Sequence, residues 1–304
     1  MARNLIMGAI EGYQFDQIAP FFLTLRKVRY EGDVVIFSRG ADGVTAERLQ
    51  EFGVRLIELP PKGLKNPITG RRHSGQGVFG DILSLWLRGL ASMPVSTRRR
   101  EGWVLGVAQR FFHIANLRFL LAERYLRDHA DVYGHVMITD VRDVIFQADP
   151  FDFEGVDGLV TFLEGPEYTV ETCKNYRAWI DAAFGAGEVA DYRGAPLSCC
   201  AITIGTAREM LGYCGAMARL IRGNCTREPY LFGLDSAAHN HLCFHRELPR
   251  MALGENLAGP VAHLGAIKAG DIRCNEEGML LNKRGGVVNI VHQYDRHPSL
   301  CVRA

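Results

Sequence analysis

The sequence predicts an α/β fold, a single domain over residues 1–304 built on a mostly parallel sheet flanked by helices. Three observations predict it. Short apolar runs rich in β-branched residues alternate with segments at helical spacing through the first sixty residues. That βαβαβ order calls for crossover helices and a parallel sheet. The chain has 304 residues, enough to bury one large core. Its 47% hydrophobic and 23% charged residues are the proportions of a globular enzyme rather than of a disordered chain.

The elements follow in order. Asn4 to Ile10 reads as a first strand. Gln14 to Val28 has apolar residues at helical spacing, interrupted early by Pro20. Asp33 to Phe37 is a short buried strand, Val44 to Phe52 a helix with Gly53 as its C-cap, and Val54 to Leu59 a third strand. Pro60 to Gly80 breaks the pattern with three prolines, five glycines and the basic residues Lys62, Lys65, Arg71 and Arg72. Long loops of this kind are often lids. Ala108 to Asp128 is predicted as one long helix, and Val132 to Thr139 as a strand ending at Asp140. The second half adds strands over Gly155–Phe162, Ser198–Ile204 and Gly286–Val291, and helices over Thr169–Phe184, Ala207–Ile221 and Leu234–Phe244.

The formal net charge of +1 gives no global attraction to nucleic acid, so a charged partner must be recognised locally. Arg98, Arg99 and Arg100 read as a solvated turn or as a contact for an anionic ligand or membrane surface. No run reaches the roughly 18 apolar residues of a transmembrane helix. The first apolar run, Leu5 to Ile10, is too short for a signal-peptide core. None of the eight cysteines forms a C-x-x-C pair, which argues against a thiolate zinc site and for reduced thiols in a cytoplasmic protein.

Chemistry concentrates in Val136 to Phe146, where a strand-like run leads into Asp140 and Asp143 and an apolar run resumes at once. Carboxylates at the C-terminal ends of sheet strands sit where open α/β sheets bind ligands. Two of them together repel unless a cation or donor lies between. A hard divalent ion sharing diphosphate oxygens fits that need. The competing reading is a capped turn in which Arg142 pairs with one acid.

Thr139 to Phe151, TDVRDVIFQADPF, resembles the metal-binding region of GT-A-fold glycosyltransferases, with two residues between its acids where the usual motif has one. Pro196 to Gly205 is similar to the strand lining the sugar site, with Cys199-Cys200-Ala201 where relatives carry a small pair. Leu234 to Asn240 resembles a helix start whose acid faces the sugar, and Ile290 to Pro298 resembles the C-terminal string that supplies a metal-binding histidine in glycogenin-like enzymes. The resemblance spans roughly the whole chain.

It implies a GT-A-like fold whose residues 1–150 bind a nucleotide and whose residues 151–304 shape an acceptor site. It implies transfer from a nucleotide-sugar donor, UDP-linked by preference and GDP-linked as the alternative, to a carbohydrate or lipid-linked acceptor. Retention of anomeric configuration goes with it. Peripheral contact with the inner membrane face is the separate expectation that Arg98 to Arg100 would serve. The metal, Mn²⁺ or Mg²⁺, would be held by Asp143 and His292, with Asp140 on the metal or on the donor ribose. Asp235 would orient the sugar or act on the acceptor, or simply cap its helix. Tyr13 could stack on the base or serve packing. Arg39 and Arg118 could reach phosphate, with a solvated turn the plainer role for Arg39.

Two further readings compete. His239, His241 and His245 form H-x-H-x-x-x-H, with His241 and His245 on one helix face, and three histidines can hold a hydrolytic zinc. The chain could also be a non-catalytic nucleotide-sugar-binding protein on the same fold.

Overall fold

The fold comes from a computed structural model, which describes residues 2–65, 72–73, 89, 97–165, 167–224 and 232–297. β1 (Arg3–Glu11), α1 (Phe15–Lys27), β2 (Asp33–Arg39), α2 (Gly43–Glu51) and β3 (Arg55–Glu58) follow one another as expected. Leu5 and Met7 of β1 point into one core and Ile6 and Ile10 into another, the period-two alternation of a strand buried on both faces. Pro20 lies inside α1 rather than ending it. Asp42 caps α2 by accepting from the Thr45 N–H at 2.7 Å.

The expected loop after residue 60 contains two short strands, β4 (Leu64–Lys65) and β5 (Arg72–His73), paired antiparallel. The rest of Lys62 to Gly80 that would form a lid lies largely outside the described residues. The single long helix expected over Ala108–Asp128 is two helices, α3 (Thr97–Phe111) and α4 (Ile114–His129). The His113 side chain accepts from Ala115 N–H at 3.3 Å and caps the second. A capping imidazole offers the backbone an alternative to continuing the helix, which periodicity does not register. Arg98 to Arg100 lie in the first turn of α3, not in a turn between elements.

β6 (Tyr133–Thr139) and β7 (Val144–Phe146) bracket the two acids. β8 (Leu159–Leu163) precedes α5, which covers only Lys174–Phe184. Thr169, expected near the helix start, instead bridges to Pro196. The remaining elements are α6 (Ala186–Asp191), β9 (Ser198–Thr206), α7 (Ala207–Asn224), α8 (Leu234–His245), β10 (Met251–Gly254), β11 (Val261–His263) and β12 (Ile290–His292). The last strand is shorter and later than Gly286–Val291.

The main sheet runs β10-β8-β9-β6-β1-β2-β3. β6, β1, β2 and β3 are parallel, while β9 runs antiparallel to both β6 and β8. This reversal brings the start of β9 to the edge where β1, β2 and β6 end. A second sheet has the order β11-β12-β7. One core lies between the main sheet and α4, α7 and α8. The other lies under α1 and contains Phe21, Phe22 and Phe146. The α/β class with helices on both faces of a mostly parallel sheet is therefore what the structure has.

His239 of α8 is fully buried, with Tyr213 at 2.7 Å and Ser198 at 3.0 Å. Burial, reinforced by the charge of Arg118, pushes its pKa from 6.5 down to about 3. It folds neutral and is protonated on unfolding in acid. A depressed folded pKa contributes stability above 6.5 that is lost as pH falls toward 3, at up to about 1.4 kcal/mol per pH unit. Thermal melts from pH 7 to pH 4 should therefore show a steeper acid loss in the unaltered protein than in His239→Gln. Equal slopes would refute this role.

Candidate functional site

The acids and the distant histidine meet because of strand register. His292 of β12 stands opposite Val144 of β7, the residue after Asp143, and beside His263 of β11. Gln293 N–H donates to the Asp143 carbonyl at 2.7 Å and locks that junction. On the other side, Asp140 N–H donates to Ala201 O at 2.9 Å, so the loop is tied to β9 as well. The loop also rests on β1. A Cβ on Gly8 would stand 2.4 Å from Val141 Cγ2, so only glycine leaves room there.

His292 Nε2 lies 3.8 Å from Asp140 Oδ2 and 3.7 Å from Asp143 Oδ2. One donor atom from each of the three falls within 4.8 Å of the others, the span of a single cation's ligands. The Asp140 side chain is 38% exposed and Asp143 14%, so the group opens to solvent on the Asp140 side. Burial raises the Asp143 pKa, His292 works against that, and the neighbouring Asp140 charge adds to it. A carboxylate under such pressure is relieved by a cation.

The imidazole is itself held. His292 Nδ1 lies 2.9 Å from Nδ1 of His263, leaving Nε2 turned toward the acids. Burial, and secondarily His292, keeps His263 neutral, and its Nε2 has no partner among the described residues. A metal-ligating imidazole is oriented by an acceptor on its other ring nitrogen, a place that the His263 ring takes here. Nothing in the short run Val261-Ala262-His263 signals this role; it follows from β11 lying beside β12.

Arg118 and Asp235 join the same cluster. Arg118 is buried on α4, and its guanidinium contacts the Asp140 carboxylate closely. It also reaches Asp235 Oδ2 at 3.3 Å and Cys200 O at 3.2 Å. Burial alone would lower its pKa, but the charges of Asp140 and Asp235 outweigh it, so the cation is retained. Arg118 thus organises two carboxylates, and its terminal nitrogens are engaged rather than free for phosphate.

Asp235 does not cap α8 through its side chain. It is 4% exposed and faces Arg118 and the Cys200 thiol at 3.4 Å, while its N–H donates to Asn116. Gly233 before it has φ +88°, and a Cβ there would strike Trp179 at 2.1 Å. A left-handed glycine therefore starts α8 close under that ring. Burial pushes the thiols of Cys199 and Cys200 well up, so both line the site as neutral groups rather than nucleophiles.

Tyr13 belongs to the rim. Its pKa is raised by burial, with Arg142, Asp143, Asp140 and Glu11 as the charges around it. Arg39 is not a solvated turn residue. It is 2% exposed, pairs with Glu11 at 2.9 Å and donates to the carbonyls of Phe112 and Gln109. It clamps the α3–α4 break against the sheet edge. Arg142 pairs with Asp295 at 3.1 Å rather than with either acid of its own motif, so the capped-turn reading lacks the ion pair it requires.

The three-histidine group is also corrected. His239 points into the core, and Glu188 rather than His239 stands with His241 and His245. Residues 239 and 241 project from different sides of one helix, so they cannot converge. The described residues include no helix long and apolar enough to cross a membrane. In comparison with known proteins, the chain matches no family model and no curated protein.

Proposed function

We propose that this protein is a divalent-metal-dependent glycosyltransferase that moves a sugar from a nucleoside-diphosphate donor to a hydroxyl acceptor, on a sheet of GT-A type. One observation carries the reading. Asp140, Asp143 and His292, the last some 150 positions further on, converge at the C-terminal edge of β1, β2 and β6. Ligands of open α/β sheets gather at that edge.

The donor set fits Mn²⁺ or Mg²⁺: two carboxylates supply hard oxygens and one imidazole a borderline nitrogen, the mix that manganese accepts well. When bound, the ion supplies neutralisation of the diphosphate leaving group. The protein's own groups do the rest. Arg118 holds Asp140 in place and His263 turns His292 Nε2 toward the acids. Tyr13, half-buried among the charges of Arg142, Asp143 and Asp140, is the residue assigned to the nucleoside base. Asp235, buried behind Arg118, acts on the sugar site through that guanidinium, which it shares with Asp140. UDP-sugars are the preferred donors, GDP-sugars the alternative, and carbohydrate or lipid-linked hydroxyls reached from the cytoplasm the acceptors.

A thermal-shift screen of nucleoside diphosphates and nucleotide sugars tests the reading. A fitting donor should raise the melting temperature only with Mn²⁺ or Mg²⁺, since saturation at a hundred times Kd stabilises by about 2.7 kcal/mol. Absence of any donor shift, together with no nucleotide release, would reject it. His292→Ala should raise the Mn²⁺ needed for half-maximal shift at least about tenfold. An unchanged requirement would remove His292 from the ligand set.

A further inference from the structure

We infer that Glu188, His241 and His245 form a second metal site, of zinc class, which pins α6 to the C-terminal end of α8. Glu188 Oε1 is the point of convergence. His245 Nε2 lies 2.9 Å away, and His241 Nδ1 and the Tyr192 hydroxyl contact the same oxygen closely. His241 and His245 are one helical turn apart, the spacing that presents two imidazoles on one face. The group lies at the other end of α8 from Asp235, about 15 Å along the helix from Asp235 to His245.

The tautomer of His241 argues for a cation. Its Nε2 lies 3.2 Å from Glu247 Oε1, and Arg219 holds Glu247 as a carboxylate at 2.7 Å. A neutral imidazole has one N–H. If Glu247 accepts it, Nδ1 presents a lone pair toward the lone pairs of Glu188. The one proton of the Tyr192 hydroxyl, close to Glu188 and 3.2 Å from Nδ1, can satisfy only one of the two, so they repel unless a positive charge joins them. The carboxylate–imidazole–ligand arrangement is that of a metal-binding histidine with its outer shell in place. The competing source of positive charge is a second proton, which would make His241 an imidazolium between two carboxylates.

Composition of the site selects the ion. Two imidazoles and one carboxylate are an open zinc set with a position left for water. They favour zinc, cobalt, nickel or copper over magnesium. The base is rigid: His241 stacks on Phe184 with centroids 4.5 Å apart, and Tyr192 stacks on Phe244 at 4.0 Å. The His245 side chain is 40% exposed and gives an ion access.

The test is zinc stoichiometry after equilibration and desalting, first in Asp143→Ala, where the cluster at residues 140, 143 and 292 is disabled. One zinc per chain should remain bound and raise the melting temperature, while Mg²⁺ does neither. Adding His245→Ala, which removes an exposed ring, should weaken zinc binding at least tenfold with the metal-free circular dichroism unchanged. Glu247→Ala should weaken it roughly 10–100-fold. In the chain unaltered at Asp143, His245→Ala alone should lower the zinc content by one equivalent. No retained zinc would overturn the site, as would retention that His245→Ala leaves unchanged. So would a His245→Ala effect confined to the pH dependence of stability, which would identify the imidazolium bridge instead.

Discussion

Asp143→Ala is expected to abolish metal-dependent transfer while leaving the metal-free protein at least as stable as before. The two halves of this result have one cause. Burial and the Asp140 charge hold Asp143 in a place where its ionised form is disfavoured. Its side chain makes no hydrogen bond among the described contacts closer than the 3.7 Å approach of His292. Its backbone carbonyl, which accepts from Gln293, is untouched by the substitution. Removing the carboxylate thus relieves a like-charge contact instead of breaking a bond.

Catalysis suffers because a metal stabilises a developing leaving-group charge by several kcal/mol, so transfer should fall roughly a thousandfold or more. Melting curves with and without Mn²⁺, alongside nucleotide release, check both halves. Activity like that of the unaltered protein would sink the metal assignment. Normal metal response with a lower metal-free melting temperature would show Asp143 to be structural.

Arg118→Met should cost the most stability of any single change at the site. The guanidinium is 6% exposed and stands between Asp140 and Asp235, the second of which is equally buried. Loss of one partner from a buried ion pair leaves an uncompensated charge and costs about 3–5 kcal/mol. In a domain of this size each kcal/mol lowers the melting temperature by roughly 2–4 °C. Arg118→Lys keeps the charge but loses the planar fork, so it should recover only part of the loss. Arg118→Met combined with Asp235→Asn should also recover part, because the orphaned charge is gone. A melting temperature unchanged in Arg118→Met would refute the coupling.

Much of this was legible in the chain. The alternation of β-branched runs with helical spacing specifies β1 to β3 with their helices, because burying both faces of a parallel strand demands continuous apolar residues. The apolar frame around Asp140 and Asp143 likewise shows two acids at a strand end. Legibility stops where the signal is not periodic. The break at His113 depends on one imidazole cap in an otherwise unbroken apolar pattern. Arg39 reads as a surface residue after a strand, yet its guanidinium is buried and donates to carbonyls some seventy positions away.

The fold class, the place of the acidic loop and the presence of His292 as a candidate partner can all be read along the chain. Local pattern carries these, since propensity and burial act over a few residues. What meets what depends on tertiary packing. Pairing of β12 with β7 puts His292 at Asp143, pairing with β11 supplies His263, and α4 inserts Arg118 between two acids. It also replaced His239 with Glu188 beside His241 and His245. The physical reason is that register and crossing of distant elements are set by how the whole core packs, a balance over many residues that no local window contains.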